Sequence, residues 1–122
     1  MDSFKSEFCE IHYLEDQDAV LCTWKQFCQG DDYREPLRFG LELLNEKQCK
    51  LWITDTDNGF ESTQEDTRWL LEEFLPQTIG SSCEKIVFII KESSSLKEEI
   101  DRQAVALRQF FDVKICESLD KD

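Results

Sequence analysis

Lys85-Ile86-Val87-Phe88-Ile89-Ile90 is the stretch whose reading decides the fold. Its five consecutive apolar residues, Ile86 to Ile90, leave no polar face. Four of them are β-branched, which suits an extended backbone. A strand apolar on both faces is characteristic of the middle of a sheet with parallel neighbours. The run is far too short for the ~20 residues of a membrane span, so it predicts a core strand and no membrane insertion.

Upstream of this strand the apolar period changes to that of a helix. Ser62-Thr63-Gln64-Glu65 matches a capping box, with Ser62 at the N-cap and Glu65 three residues on. Behind it come Trp69, Leu70, Leu71, Phe74, Leu75, Thr78 and Ile79, and Gly80-Ser81-Ser82 closes the segment. Pro76 falls inside the pattern and predicts a kink or break near Phe74-Leu75. Before the capping box, residues 49–55 read as a strand, followed by a polar loop with an Asn58-Gly59 turn signal.

Further upstream, Tyr33, Leu37, Gly40/Leu41 and Leu44 recur at helical spacing, predicting a helix from about Asp32 to Lys47. Gly30-Asp31-Asp32 supplies a breaker and a cap, and Pro36 is expected in the first turn. Residues 8–13 and 19–24 are two strands joined by the acidic turn 15–18, hence an antiparallel hairpin. Downstream of the central strand, Ser93-Ser94-Ser95 opens a third helix with Leu96, Ile100, Ala104, Leu107 and Phe111 on one face. Residues 113–116 form a last short strand.

The order is therefore β-β-α-β-α-β-α-β. It predicts a single α/β domain over residues 1–122, with its core at about 8–116. The sheet is expected to be mainly parallel, with an antiparallel edge hairpin and right-handed crossovers.

Composition limits what such a domain does. Acidic residues outnumber basic ones by 27 to 14, a net charge of −13 that disfavours nucleic acid and anionic membrane surfaces as partners. Nine Phe, three Trp and two Tyr demand a buried core, so the chain is not expected to be disordered. Met1-Asp2-Ser3-Phe4-Lys5-Ser6-Glu7 holds no apolar h-region and is not expected to act as a signal peptide. The six cysteines form no C-x-x-C pair, and with His12 the single histidine there is no zinc pattern. Reduced, mostly buried thiols in a cytoplasmic protein are the expectation.

The segment Asp66-Thr67-Arg68-Trp69-Leu70-Leu71-Glu72-Glu73-Phe74-Leu75-Pro76 carries a family resemblance. Its acidic-x-x-Trp followed by Glu-Glu-aromatic-x-Pro is similar to the second helix of small, uncharacterised bacterial STAS/SEC14-like proteins. The element order resembles the STAS-like fold, that of bacterial anti-sigma-factor antagonists. The resemblance implies a non-catalytic regulatory or protein-interaction module of the bacterial cytoplasm, without cofactor. In the antagonists a serine at the start of the second helix is phosphorylated, which points to Ser62 and Thr63. Their Asp-Ser-x-Gly motif differs from Glu61-Ser62-Thr63-Gln64, which lacks the glycine.

Candidate residues follow from chemistry. A phosphate at Ser62 or Thr63 would meet a helix N-terminus, but among many carboxylates. Asp55, Asp57 and Asn58 offer hard oxygens, yet their spacing is not that of a calcium loop, and a solvated acidic loop is expected rather than a metal site. His12 lacks a nucleophile partner and is expected at a surface or edge, on one side of its strand with Phe8 and Glu10.

Trp69, Phe74 and Pro76 form the segment expected to meet a protein partner or a second copy of the chain. In a regular helix Trp69 and Leu71 lie about 200° apart, so only one can face the sheet. The alternative is a small-ligand or lipid site, in an apolar groove between the second helix, the third helix and the sheet. Trp69, Phe74, Phe88, Phe110 and Phe111 would line that groove.

Overall fold

The central strand sits where its composition places it. β5, Lys85–Ile89, runs parallel to β4, Leu51–Asp55, on one side and to β6, Asp112–Cys116, on the other. A computed structural model describes residues 3–26, 28–56, 63–91 and 97–117. β3, Ala19–Trp24, pairs parallel with β4 and antiparallel with β2, Cys9–Leu14. A short strand absent from the sequence reading, β1 at Ser3–Lys5, adds antiparallel to β2. The sheet is six-stranded in the order β1-β2-β3-β4-β5-β6. Its antiparallel edge is thus a three-stranded meander rather than a hairpin. Three residues with one half-buried side chain, Phe4, gave too little periodicity to read as a strand.

α1, Asp31–Lys47, crosses from β3 to β4. The next crossover is one run of helix in three parts: α2 at Gln64–Trp69, a π-helical segment at Leu70–Phe74, and α3 at Leu75–Ile79. α4, Lys97–Leu107, leads into β6. Strands laid down in sequential order, with crossovers of one hand, collect every helix on one face of the sheet. The core has that form. Leu37, Leu41 and Leu44 of α1, Phe74, and Ile100 and Ala104 of α4 pack with Val20, Cys22, Trp52, Ile86 and Phe88. Ala19, Ile53, Val87 and Ile89 form a second cluster on the other face, without any helix residue.

Three local expectations need correction. Pro36 is not in the first turn of α1, because the helix begins at Asp31 and Pro36 is its sixth residue. Its missing N–H leaves the Asp32 carbonyl without the usual partner four residues on. The Cys28 thiol donates to that carbonyl at 3.6 Å. Second, the cap of α2 is Thr63, not Ser62, and the capped N–H is that of Asp66, not Glu65. Ser62 itself lies outside the described residues, as do Asp57, Asn58 and the serines at 93–95. Third, Phe8 packs against the helix-side core, whereas the exposed His12 contacts Glu10 at 3.4 Å.

The break expected near Pro76 takes a specific form. Pro76 cannot donate to the carbonyl four residues back. The chain rewinds just before it, with the Leu75 N–H bonding the Leu70 carbonyl in a five-residue π turn. No helix among the described residues is long and apolar enough to cross a membrane.

Candidate functional site

The π turn changes which side chains share a face. Five residues along an α-helix amount to about 140° beyond a full turn. A π turn closes over five residues instead of four, so positions i and i+5 come together. Trp69 and Phe74 are such a pair, with ring centroids 5.5 Å apart. Leu70 and Leu75 are the next, and both line the same cavity. Leu71 is turned outward and is 47% exposed. The competition between Trp69 and Leu71 for the inner face is thus resolved in favour of Trp69.

Beneath this turn lies a cavity of about 80 Å³. Leu70, Leu71, Phe74, Leu75 and Thr78 form its roof. Trp52, Thr54, Ile86 and Phe88 form the floor, while Leu37, Gln103, Ala106 and Leu107 complete the walls. The few polar groups here bond to protein atoms. The Trp52 indole N–H donates to the Thr54 hydroxyl at 2.7 Å, and the Thr78 hydroxyl donates to the Phe74 carbonyl at 3.1 Å. The interior therefore offers mainly apolar contact, with the indole N–H and the Thr78 hydroxyl both already engaged. Gly40 of α1 lies directly over the floor, since a Cβ built there would stand 2.5 Å from the Trp52 ring.

Of the aromatics expected to line a groove beside the second helix, Phe74 and Phe88 do so. Trp69, Phe110 and Phe111 do not. Trp69 points instead toward α1, edge-on to Tyr33 at 6.4 Å, with the Arg34 and Arg38 guanidinium carbons 5.4 and 5.3 Å from its ring centre. Phe111 is buried elsewhere in the core, and Phe110 is exposed. The third helix was expected to bound the groove and does, as α4, but its lining residues Gln103 and Ala106 were missed, as was the i,i+5 pairing that the spacing ahead of Pro76 could have signalled.

At the start of α2, Asp66 is 1% exposed and ties two helices together. Its carboxylate accepts from the Gly30 N–H at 2.9 Å, the Arg34 Nε at 2.9 Å and the Thr63 hydroxyl at 3.1 Å. Burial alone raises its pKa, but the Gly30, Arg34 and Thr63 bonds outweigh that and hold it below the ordinary carboxylate value. The Thr63 hydroxyl is occupied twice, accepting from the Asp66 N–H as well. Asp55 closes β4 on the opposite side of the sheet from these groups, in line with Ile53. Thr63 and Asp55 are therefore not parts of one site.

The cysteines form no exposed redox site among the described residues. All six cysteines are thiols, and five are buried. Cys9 and Cys22 approach to 3.5 Å between sulfurs. Burial, then the Cys9 contact, pushes the Cys22 thiol well up. Burial likewise raises Cys28, Cys49 and Cys83 to about 11. No group of three or more His, Cys, Asp or Glu among the described residues is arranged to hold a metal ion.

No family model, curated protein or solved structure matches this chain.

Proposed function

We propose that the chain is a non-catalytic protein-interaction module of STAS-like type, and that its cavity beside the π turn receives one aliphatic side chain of a protein partner. The observation that carries this is the size and lining of the cavity. At about 80 Å³ it is roughly half the ~150 Å³ hole that takes benzene. Sites for whole small molecules run to ~300–1,000 Å³. The volume therefore favours a leucine-sized anchor over a lipid or cofactor. Buried apolar anchors in well-packed pockets supply most of the energy at many protein interfaces. A π turn is also common at functional sites, because it trades helix regularity for side-chain placement. The resemblance to STAS-like domains supports the same class, with a heterologous partner or a second copy as the binding protein.

The reading is tested with N-acetyl-leucinamide as the probe, titrated into isotope-labelled protein and followed by NMR. Shifts should concentrate at residues 70–78 and 103–107. Ala106→Phe fills the mouth and should abolish them while the rest of the spectrum is preserved. Shifts that are absent, or unchanged by Ala106→Phe, would overturn the reading.

A further inference from the structure

We propose, resting on the cavity as a receptor for one aliphatic side chain, that docking there is regulated by a free aliphatic α-amino acid of leucine size, which takes the cavity in place of the partner's anchor. A cavity of about 80 Å³ with an apolar lining holds the side chain but not the ammonium and carboxylate, whose burial without partners is costly. Those two groups need a polar place beside it. The structure has one. A polar cleft lined by Gln64, Thr67, Arg68, Glu72 and Glu99 meets the cavity at Leu71, which lines both.

The charges of that cleft match a zwitterion. Glu99 is already engaged, by Arg102 at 2.6 Å and by Gln103 at 3.5 Å. Asp66, the acid nearest in sequence to Arg68, is held by Arg34 at 2.9 Å. Arg68 and Glu72 are exposed, and neither makes an ion pair among the described residues. The cleft therefore keeps one free cation and one free anion beside an aliphatic hole. Arg68 takes the carboxylate in a charge-assisted pair, and Glu72 takes the ammonium. A zwitterion of zero net charge gains both pairs and is indifferent to the long-range field of a chain of net charge −13, which attracts cations and repels anions. A leucine inside a polypeptide lacks both charged groups, so the cleft distinguishes the free amino acid from the partner's anchor.

Ligands that share one side chain and differ in charge test the proposal. L-leucine, leucinamide, N-acetyl-leucine and N-acetyl-leucinamide are titrated at neutral pH into the isotope-labelled full chain and followed by NMR. Leucine should bind about fivefold or more tightly than N-acetyl-leucinamide and displace it competitively. Overall charge alone would put the cationic leucinamide first, whereas the cleft puts leucine first. Arg68→Gln should bring leucine down to the level of leucinamide, and Glu72→Gln should bring it down to that of N-acetyl-leucine. Neither side chain joins the fold through an ion pair among the described residues, so both variants should stay folded. Leucine no tighter than N-acetyl-leucinamide, or weaker than leucinamide, overturns the proposal and leaves the cavity as a docking site. A preference for leucine that survives both substitutions overturns it equally. Sedimentation showing a dimer that Ala106→Phe dissolves would make a second copy the occupant and overturn it as well. Binding by none of the ligands overturns the cavity reading itself, and the proposal with it.

Discussion

Trp69 and Phe74, five residues apart, hold their rings 5.5 Å apart on the inner side of the second crossover. A regular α-helix would point them in different directions, and the π turn between them brings them together. The same turn lifts Leu71 to the surface and opens the cavity under Leu70 and Leu75. One backbone irregularity therefore produces both the candidate site and its exposed rim.

Pro76 is expected to hold that irregularity in place. Pro76→Ala supplies an N–H four residues after Glu72 and allows an α-helical register, worth up to about 1 kcal/mol for one hydrogen bond. Thermal stability should not fall, while Trp69 fluorescence shifts and leucinamide binding weakens at least several-fold. Unchanged binding in Pro76→Ala would mean that the proline is not what maintains the site.

Asp66 should be the main acid-sensitive group of the helix layer. Its pKa is lowered in the folded state, so its stabilisation is fully present above the ordinary value of 3.8. That stabilisation is lost as pH falls below this toward the lowered value. Asp66→Asn removes the charge facing Arg34 and should cost on the order of 2–3 kcal/mol at neutral pH. Chemical denaturation between pH 3 and 7 would show the acid-dependent loss in the unmodified protein and its reduction in Asp66→Asn. Parallel pH profiles would contradict this assignment.

The region around Gly40 should not tolerate even a methyl group. Gly40→Ala brings a Cβ to 2.5 Å from the Trp52 ring, and that ring is the cavity floor. Helix propensity alone favours alanine by about 1 kcal/mol, whereas overpacking costs typically ~1–3 kcal/mol. A net loss of stability in urea unfolding, with a shifted Trp52 indole resonance, is the expected outcome. Stabilisation would show that the ring moves freely.

How much of this was legible in the sequence depends on what each residue signals locally. The apolar run 86–90 and the alternating strands and helices disclosed the α/β order, because burial on both faces leaves a direct imprint on composition. β1 left no such imprint. Pro76 announced a disturbance but not its kind, since a missing N–H can be met by a kink, a break or a π turn. The cap at Thr63 was displaced by one residue because Ser62 and Thr63 have the same capping chemistry. Asp66 looked like one more carboxylate in an acidic segment. Its role depends on Gly30 and Arg34, which lie more than thirty positions away in the chain.

Burial of the thiols makes a further expectation. With pKa values near 11, Cys28, Cys49 and Cys83 have roughly one thiolate in a thousand at pH 8. In the native protein Cys116, the one half-buried cysteine, should be alkylated first. After denaturation without reductant all six should titrate. A count of four or two would reveal disulfides formed in solution.

The central claim is that the cavity under the π turn receives an aliphatic group, and intermolecular nuclear Overhauser effects test it most directly. With N-acetyl-leucinamide bound, the probe's methyl protons should show contacts to the Phe74 and Trp52 rings and to Leu107. Contacts only to the exposed Ile79 or Val105, or none at all, would contradict the account.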